Sequence, residues 1–420
     1  MRTPPSSLRV AVLAASLALP SGVRRARAGA DWPQFNGPNR DNKSTETGLL
    51  KRWPEGGPKR LWMAEGIGEG FSTVAVAAGR VYVTGNVRNA TVITALGLDG
   101  ATKWRVRNGP ACRHDHPGAR STPTIDSGRL YHENADGDVI CLDAASGKEI
   151  WSLNILRQFG GRNIRWGLSE SLLIDGNHVV CTPGGPNAGL AALDKATGKT
   201  VWVCRETTQG PGYASPIVFE YAGVRQIATL LARSAVGVDA RTGKLLWQVR
   251  HIAKFDENIG TGIYHDGRLF FSTRTSGSLL LKLKSEGGKV GVEEAWRTRE
   301  MDDHHGGVVL LGGHFYGDCM RSRGGAWACL ELAAGRRTLT TDLIGRGSLT
   351  YAEGLLYVMN HRRGVALVRP SPRALEIVSR FELPDVGQGP SWAHPVVCGG
   401  RLYLRYSNRL YCHDIRATGG

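Results

Sequence analysis

Short apolar runs separated by turn residues make up most of the chain, and its apolar positions lack the spacing of long amphipathic helices. From Ser121 to Trp151, four runs rich in Val, Ile, Leu and Tyr alternate with the turn sequences Ser-Gly, Ala-Asp-Gly-Asp and Ser-Gly-Lys. Glycine accepts the positive φ that a tight turn requires. The pattern therefore predicts antiparallel strands joined by hairpins, and an all-β fold.

A glycine followed by an apolar run opens each repeat of this pattern. It recurs at intervals of 41 to 49 residues, at positions 79, 128, 176, 223, 267, 313, 354 and 400. Four short strands in a unit of this length are typical of a propeller blade, so the chain is predicted to form an eight-bladed β-propeller of four-stranded antiparallel blades. The last unit ends without a Trp strand, whereas Trp62 precedes the first. We therefore expect residues 60–64 to pair beside 410–414 and close the ring.

A second recurring phrase follows in each unit. It reads LDAASGKEIW, ending at Trp151, then LDKATGKTVW, ending at Trp202, and VDARTGKLLW, ending at Trp247. Its Asp and Ser/Thr can hydrogen-bond the amides of their own turn, and the Trp ring can fill the space between two blades. This role is predicted for six tryptophans: Trp62, Trp104, Trp151, Trp202, Trp247 and Trp296.

The phrase ALDKATGKTVW resembles the tryptophan-docking repeat of pyrroloquinoline-quinone (PQQ)-like propellers, a family that includes quinoprotein alcohol dehydrogenases and BamB-like assembly proteins. DWPQFNGPNRD near the start and HHGGVVLLGG at His304 resemble exported members of that family. The resemblance implies the propeller fold but does not specify an activity. It extends from Asp31 to about Ala417, with residues 31–57 predicted as an extended N-terminal segment and 58–417 as the propeller.

Residues 1–30 have the layout of a secretory signal peptide. Arg2 and Arg9 precede the apolar run Val10 to Leu19, and small residues end the segment at Ala30. We therefore expect cleavage near Ala30 and a periplasmic or secreted, monomeric protein without a membrane span. Its eight cysteines are scattered, with Cys319 and Cys329 the favoured pair if a disulfide forms.

The chain is basic, with 53 Lys and Arg against 37 Asp and Glu. Removing the five arginines of the leader leaves 48 against 37, a net charge of +11. This excess favours an anionic partner, either a protein or an acidic small molecule or glycan. Nucleic acid is not expected, because the sequence contains no nucleic-acid-binding motif.

The loops that enter each blade, together with those between its second and third strands, are predicted to share one face of the propeller. Arginines collect in these loops at positions 113, 120, 162, 165, 274, 321, 323, 362 and 363. They predict a basic, aromatic-lined funnel for an acidic ligand. Its candidate residues are Arg120, Arg165, Trp166, Glu170, Tyr213, His304, His305, Trp392 and His394.

Three functions fit this face. The favoured hypothesis is a noncatalytic binding or scaffold module, and the alternatives are a PQQ-dependent quinoprotein dehydrogenase acting on alcohols or sugars and a glycan-binding propeller. Calcium-dependent quinoproteins, to which the resemblance extends, use a cage of carboxylates and amides, usually beside two adjacent cysteines. The chain has no Cys-Cys pair and few acidic residues in these loops. No cofactor, no metal site and no catalytic residue is therefore predicted.

Overall fold

The computed structural model describes Met1 and residues 31–320, 326–384 and 389–417. The predicted signal peptide with its cleavage near Ala30, and the predicted funnel residues Arg321 and Arg323, lie outside the described residues. Helix is confined to two short pieces in this part of the chain, α1 (Ile155–Phe159) and one 3-10 turn (Lys254–Asp256). These helices are too short to cross a bilayer.

Eight sheets of antiparallel strands form the fold, and we number them as blades in chain order. Two strands precede blade 1: β1 (Lys43–Ser44) and β2 (Arg60–Glu65). Blade 1 contains β3 (Ala75–Ala77), β4 (Arg80–Val87), β5 (Ala90–Gly97) and β6 (Thr102–Pro110). Blade 2 contains β7 (Thr124–Asp126), β8 (Arg129–Glu133), β9 (Asp138–Asp143) and β10 (Glu149–Asn154). Blade 3 contains β11 (Leu173–Asp175), β12 (His178–Cys181), β13 (Leu190–Asp194) and β14 (Thr200–Cys204).

The next three blades repeat the same arrangement. Blade 4 contains β15 (Ile217–Tyr221), β16 (Val224–Leu230), β17 (Ser234–Asp239) and β18 (Leu245–Arg250). Blade 5 contains β19 (Ile263–His265), β20 (Arg268–Thr273), β21 (Gly277–Glu286) and β22 (Lys289–Thr298). Blade 6 contains β23 (Val308–Leu311), β24 (His314–Cys319), β25 (Ala326–Glu331) and β26 (Arg337–Thr341).

The last two blades also recruit N-terminal strands. Blade 7 contains β27 (Gly347–Ala352), β28 (Leu355–Asn360), β29 (Gly364–Ser371) and β30 (Ala374–Glu382), with β1 parallel to β27. Blade 8 contains β31 (Val396–Cys398), β32 (Arg401–Tyr406) and β33 (Arg409–Asp414), completed by β2. In that pairing Trp62 faces Cys412 and Glu65 faces Arg409. The eight-bladed fold and its closure by an N-terminal strand are therefore confirmed.

The hydrophobic core is divided into eight clusters, each formed between two neighbouring blades. Tyr131 of blade 2 and Val179 of blade 3 belong to one cluster, for example, and Val396 of blade 8 and Val81 of blade 1 to another. Because both faces of every sheet are covered, apolar side chains point to both sides of a strand. This explains why the strands are apolar runs with little alternation.

The recurring tryptophans join each blade to the next. The Trp151 indole lies on Gly198 of the following blade and donates from Nε1 to the Lys195 carbonyl at 3.1 Å. Gly198 has a φ of +73° and belongs to the LDKATGK turn. Asp194 fixes that turn by accepting hydrogen bonds from the amide and hydroxyl of Thr197. Trp62, Trp104, Trp202 and Trp296 lie in the same way on Gly100, Gly147, Gly243 and Gly335.

Two positions depart from this arrangement. Trp247 packs on Gly237 of its own blade and donates to the Gln226 side chain, because the long β21–β22 hairpin replaces the usual turn of blade 5. In blade 7, Phe381 takes the position of the Trp and lies against Gly57. Gly57 precedes β2, so the N-terminal segment supplies both the last strand and the docking turn of blade 8.

The two cysteines favoured as a disulfide pair lie on adjacent strands but on opposite sides of blade 6. Cys319 packs between blades 5 and 6, whereas Cys329 packs between blades 6 and 7. No disulfide joins them. The pairing predicted from the sequence was wrong, because side chains at these two strand positions point to different faces of the sheet.

Candidate functional site

A cavity of about 730 Å³ occupies the centre of the propeller, where the loops entering the blades converge. Each of the eight blades contributes at least one side chain to its wall through these loops. The contributors, in blade order, are Phe71, Arg120, Trp166, Tyr213, Glu257, His304, Arg346 and Trp392. Loops between second and third strands add Arg274, Met320 and His361. We call this cavity the funnel.

Seven of the nine predicted funnel residues line the cavity: Arg120, Trp166, Tyr213, His304, His305, Trp392 and His394. Arg165 lies beside its mouth. Glu170 lies elsewhere, buried between blades 2 and 3, where its Oε1 accepts a hydrogen bond from the Thr182 amide at 2.6 Å. Its neighbours Ser169 and Ser171 face the cavity, so Glu170 points the opposite way along an extended chain.

The N-terminal segment forms the base of the funnel. Phe35 lines the cavity and lies 5.1 Å, between ring centroids, from His394. Arg40 anchors the segment: its guanidinium donates to the carbonyls of Ser171 and Pro216, each at 2.9 Å, and to that of Leu172. Burial lowers the pKa of Arg40 to about 9, which leaves the group charged at neutral pH.

Among the residues that the structure describes, three arginines face the cavity. Arg120 donates to the Asp115 and His116 carbonyls at 3.1 and 3.0 Å, and Cys112 Sγ lies 2.6 Å from its Nη1. Arg274 lies 3.6 Å from a carboxylate oxygen of Glu257. These contacts fix each guanidinium at the wall, which reduces the entropy lost when a ligand binds.

The third arginine, Arg346, connects a carboxylate with a histidine. Its Nε lies 3.4 Å from Asp318 Oδ2, and its Nη2 lies 3.4 Å from His304 Nδ1. His304 Nε2 lies 2.9 Å from Glu257 Oε1. Because arginine only donates, Nδ1 accepts and the His304 proton is on Nε2, pointing to Glu257. Burial lowers the pKa of His304, so this neutral form dominates at neutral pH.

Trp392 lies in a stack of rings on one side of the funnel. His305 stacks on it with centroids 4.2 Å apart and planes 16° apart, and Phe71 lies at 4.5 Å and 35°. His305 is thus nearly parallel to the indole, whereas Phe71 is tilted against it. Trp392 Nε1, His305 Nδ1 and His361 Nε2 have no hydrogen-bond partner within the described residues.

The mouth of the funnel has an exposed cation–aromatic cluster. Arg165 lies 4.9 Å from the ring centroid of Trp166 and 5.0 Å from that of Phe255. Phe255 is 54% exposed and has a φ of +62°, followed by Asp256 at +56°. Two consecutive non-glycine residues in the left-handed region store backbone strain, which is concentrated at functional loops in proteins.

A family model described as outer membrane protein assembly factor BamB matches residues 54–206 and 89–341. The chain belongs to this PQQ-like propeller family. Quinoprotein alcohol dehydrogenase PedH of Pseudomonas putida is 25% identical over 208 residues, which cover 47% of this chain and 31% of that protein. The match thus spans about a third of PedH.

Solved structures share the fold. BamB from Moraxella catarrhalis aligns over 86% of this chain and 99% of its own, with a TM-score of 0.58 and 16% identity. Quinohemoprotein alcohol dehydrogenase from Comamonas testosteroni aligns over 94% and 82%, with a TM-score of 0.65 and 13% identity. The similarity therefore extends to a BamB and to a quinoprotein enzyme alike, and at these identities it concerns the fold alone.

The calcium-bound quinone implied by the quinoprotein relatives does not fit the residues of this funnel. His305 already stacks on Trp392, and Phe71 packs against the same indole. Calcium needs six to eight oxygen ligands. In the described part of the chain no three His, Cys, Asp or Glu residues are placed to hold a metal ion, and Glu257 is already in contact with His304 and Arg274.

Sequence inspection missed several residues of the funnel. Phe35 belongs to a segment that precedes the repeats, and Glu257 and Arg346 stand in loops with no recognisable motif. Their common signal was position, since each precedes the first strand of a blade or lies in the N-terminal extension. Each of these three residues has a proline or glycine nearby in the sequence, but such turn residues do not show which side chain of a loop faces the axis.

Proposed function

We propose that this protein is a noncatalytic binding module that holds a compact anionic ligand in the funnel. The observation that carries the proposal is the convergence of Arg120, Arg274 and Arg346, from three different blades, on one cavity. Its volume of about 730 Å³ lies within the range of roughly 300–1,000 Å³ that is typical of small-molecule sites.

The charge of the wall supports an anionic ligand. Arg120 is held by carbonyls and a sulfur, and no ion pair of Arg120 occurs within the described residues. Burial raises the pKa of Asp318, the carboxyl beside Arg346, to about 6, which weakens its neutralising effect near that pH. Guanidinium groups bind carboxylates through paired hydrogen bonds. An incoming carboxylate would therefore find cationic donors already in position.

The arrangement of His304 supports binding without catalysis. A general base needs a ring nitrogen free to take a proton from the substrate. In His304, Nδ1 faces Arg346 and Nε2 faces Glu257, so both nitrogens are engaged. The triad of His304, Glu257 and Arg346 thus serves to hold the wall of the funnel rather than to transfer a proton.

We further infer that the protein acts outside the cytoplasm, in the periplasm or as a secreted protein. The leader-like sequence of residues 1–30 and the description of the matching family as an outer membrane assembly factor support this location. A protein partner with an acidic segment is the second candidate ligand. The exposed Phe255 beside Arg165 supports it, since an aromatic group next to a cation is typical of protein-binding surfaces.

Calorimetric titration with benzene-1,3,5-tricarboxylate, a compact trianion, tests the proposal. We expect saturable binding in the wild type that weakens with added salt. Arg120→Gln should lower the affinity at least ten-fold, because the wall loses one positive charge and the paired N–H donors of one guanidinium. Arg113→Gln is the matched control: the same loop loses the same charge, but Arg113 is exposed and contacts Asn89.

Comparing the two variants separates a specific anion site from nonspecific attraction to a basic surface. Binding that is lost in Arg120→Gln and kept in Arg113→Gln supports the funnel as the anion site. Equal losses in both variants would indicate nonspecific attraction to a basic surface, and no binding by the wild type at millimolar concentration would contradict the proposal. The melting temperature of both variants shows whether each one is folded.

A further inference from the structure

Hydroxyl groups and cations both line the wall of the funnel. Blades 3 and 4 contribute the hydroxyl groups of Ser171, Ser215 and Tyr213. Arg120 of blade 2 and Arg274 of blade 5 flank this hydroxyl side. Arg346 belongs to blade 7, which lies opposite blade 3 in a ring of eight. A ligand that spans the funnel therefore meets hydroxyl groups on one side and the Arg346 guanidinium on the other.

The hydroxyl side is arranged to donate. Ser171 Oγ accepts from the Thr122 amide at 3.0 Å, and Ser215 Oγ accepts from the Ser171 amide at 2.9 Å. Tyr213 accepts from the Trp166 amide at 3.4 Å, and burial raises its pKa to about 12, so it remains a neutral phenol. In each group the oxygen is oriented by a backbone amide, which leaves its proton and one lone pair for a ligand. Groups that both donate and accept match alcohol hydroxyls.

The opposite side supplies a positive charge. Arg346 lines the cavity, and its guanidinium can only donate hydrogen bonds. His361 also lines the cavity, and burial lowers its pKa to about 4, so a positive charge on this ring is not expected at neutral pH. A carboxylate is the group that a guanidinium binds through paired hydrogen bonds.

Aromatic side chains line the space between these two sides. Trp166 and Phe71 are part of the wall, and Phe35 forms the base. Apolar rings suit the C–H faces of a saccharide as well as they suit an aromatic ligand. The cavity is large enough for about one or two sugar residues, on the usual scale of small-molecule sites.

We infer that the ligand is an acidic saccharide, a sugar acid or short uronic-acid oligosaccharide. Its carboxylate binds Arg346, and its hydroxyls bind Ser171, Ser215 and Tyr213. This inference rests on the proposed function and specifies its ligand. It explains why a wall that contains arginines also carries three buried hydroxyl groups across the cavity from Arg346, an arrangement that a purely ionic site does not need.

Three probes in parallel calorimetric titrations test the inference: digalacturonate, its neutral counterpart galactobiose, and benzene-1,3,5-tricarboxylate. We expect digalacturonate to bind at least ten-fold more tightly than the tricarboxylate and at least a hundred-fold more tightly than galactobiose. Tyr213→Phe should weaken digalacturonate about five- to ten-fold and leave the tricarboxylate unchanged, because only the saccharide uses the phenol. Arg346→Gln should weaken both anions.

The failures of the two proposals are distinguishable. If the tricarboxylate binds through Arg120 but digalacturonate does not bind, the saccharide inference is wrong and the anion site stands. If Tyr213→Phe weakens both anions equally, the phenol has no role specific to the sugar and the inference is also contradicted. If galactobiose binds as tightly as digalacturonate, the carboxylates add nothing to saccharide binding and the inference is wrong, while the anion site is still judged by the titration with the tricarboxylate. Melting curves of Tyr213→Phe show whether the loop remains intact.

Discussion

Single residues in the repeated turn have two functions at once. Gly198 adopts a φ of +73° that closes the turn of blade 3, and its bare Cα also forms the surface on which Trp151 of blade 2 lies. A Cβ at this position would lie 2.9 Å from Cδ2 and from Cε3 of the indole. The glycine and the tryptophan of neighbouring repeats are therefore required together, which explains why both recur with one spacing.

Because Gly198 has both functions, we predict that Gly198→Ala lowers the free energy of unfolding by more than backbone strain alone would lower it. The left-handed conformation costs alanine about 1–2 kcal/mol. The clash with Trp151 should add about 1–3 kcal/mol, as overpacking does elsewhere. Gly223→Ala is the matched control, with a φ of +76° and no atom within 4 Å of the added Cβ. Urea unfolding of both variants measures the difference.

A loss of stability that is the same in the two variants would show that the indole moves aside at no cost. The close approach of the tryptophan would then not require a glycine, and the turn conformation alone would account for Gly198. A larger loss in Gly198→Ala isolates the effect of the indole, because both glycines lie in turns of the same ring and share nearly the same φ.

Among the elements, the N-terminal segment has the most structural roles that its sequence does not predict. Gly57 receives Phe381 of blade 7, β2 completes blade 8, and Phe35 forms the base of the funnel. The closing strand could be predicted from Trp62, because it repeats a pattern present in other blades. The roles of Phe35 and Arg40 could not, since a segment outside the repeats has no other copy with which to compare it.

Arg40 holds this segment in the centre of the ring, and we predict that Arg40→Met destabilises the protein by about 1–3 kcal/mol or more. The methionine fills much of the same space but leaves the carbonyls of Ser171, Leu172 and Pro216 without their donor, and burying an unsatisfied polar group carries that cost. Thermal or urea unfolding gives the value.

Arg52→Met provides the comparison for Arg40. Arg52 is exposed and donates to one carbonyl, that of Val378 at 2.9 Å. Its replacement should change stability by less than about 0.5 kcal/mol, as most surface substitutions do. If Arg40→Met proved as harmless as this control, the segment would have to be held in the funnel by Trp32 and Phe35 instead.

At the scale of the whole molecule, the funnel exists only because the ring closes. No blade forms more than a small part of its wall, and Arg346 and Ser171 come from opposite blades. The repeats made the fold predictable, since their period and turns are local features. They also located the loops that face the axis. They could not show which residue of each loop faces inward, and Glu170 was misplaced for that reason.

The ring also buries ionisable groups between its blades, and Glu133 is the clearest case. Glu133 and Glu170 lie buried between blades 2 and 3, where burial, and secondarily the other carboxyl, hold the pKa of Glu133 well above its usual range. The folded state therefore keeps a proton that the unfolded chain loses above about pH 4.3. Such a group contributes stability that is fully present below its unfolded pKa and is lost as the pH rises toward the folded pKa.

Glu133→Gln should consequently stabilise the protein at alkaline pH. Glutamine keeps the volume and cannot ionise, so we expect a gain on the order of 1–3 kcal/mol at pH 8 that shrinks toward zero at pH 4.5. Urea unfolding at several pH values between these limits measures it.

Buried histidines with lowered pKa, such as His132, act in the opposite sense, since their contribution to stability is lost as the pH falls. Wild type and variant both contain these histidines, so their effect cancels in the difference between the two proteins. Glu149→Gln, exposed on the same blade, should show no such trend. A difference between Glu133→Gln and wild type that does not vary with pH would mean that the folded protein does not retain this proton.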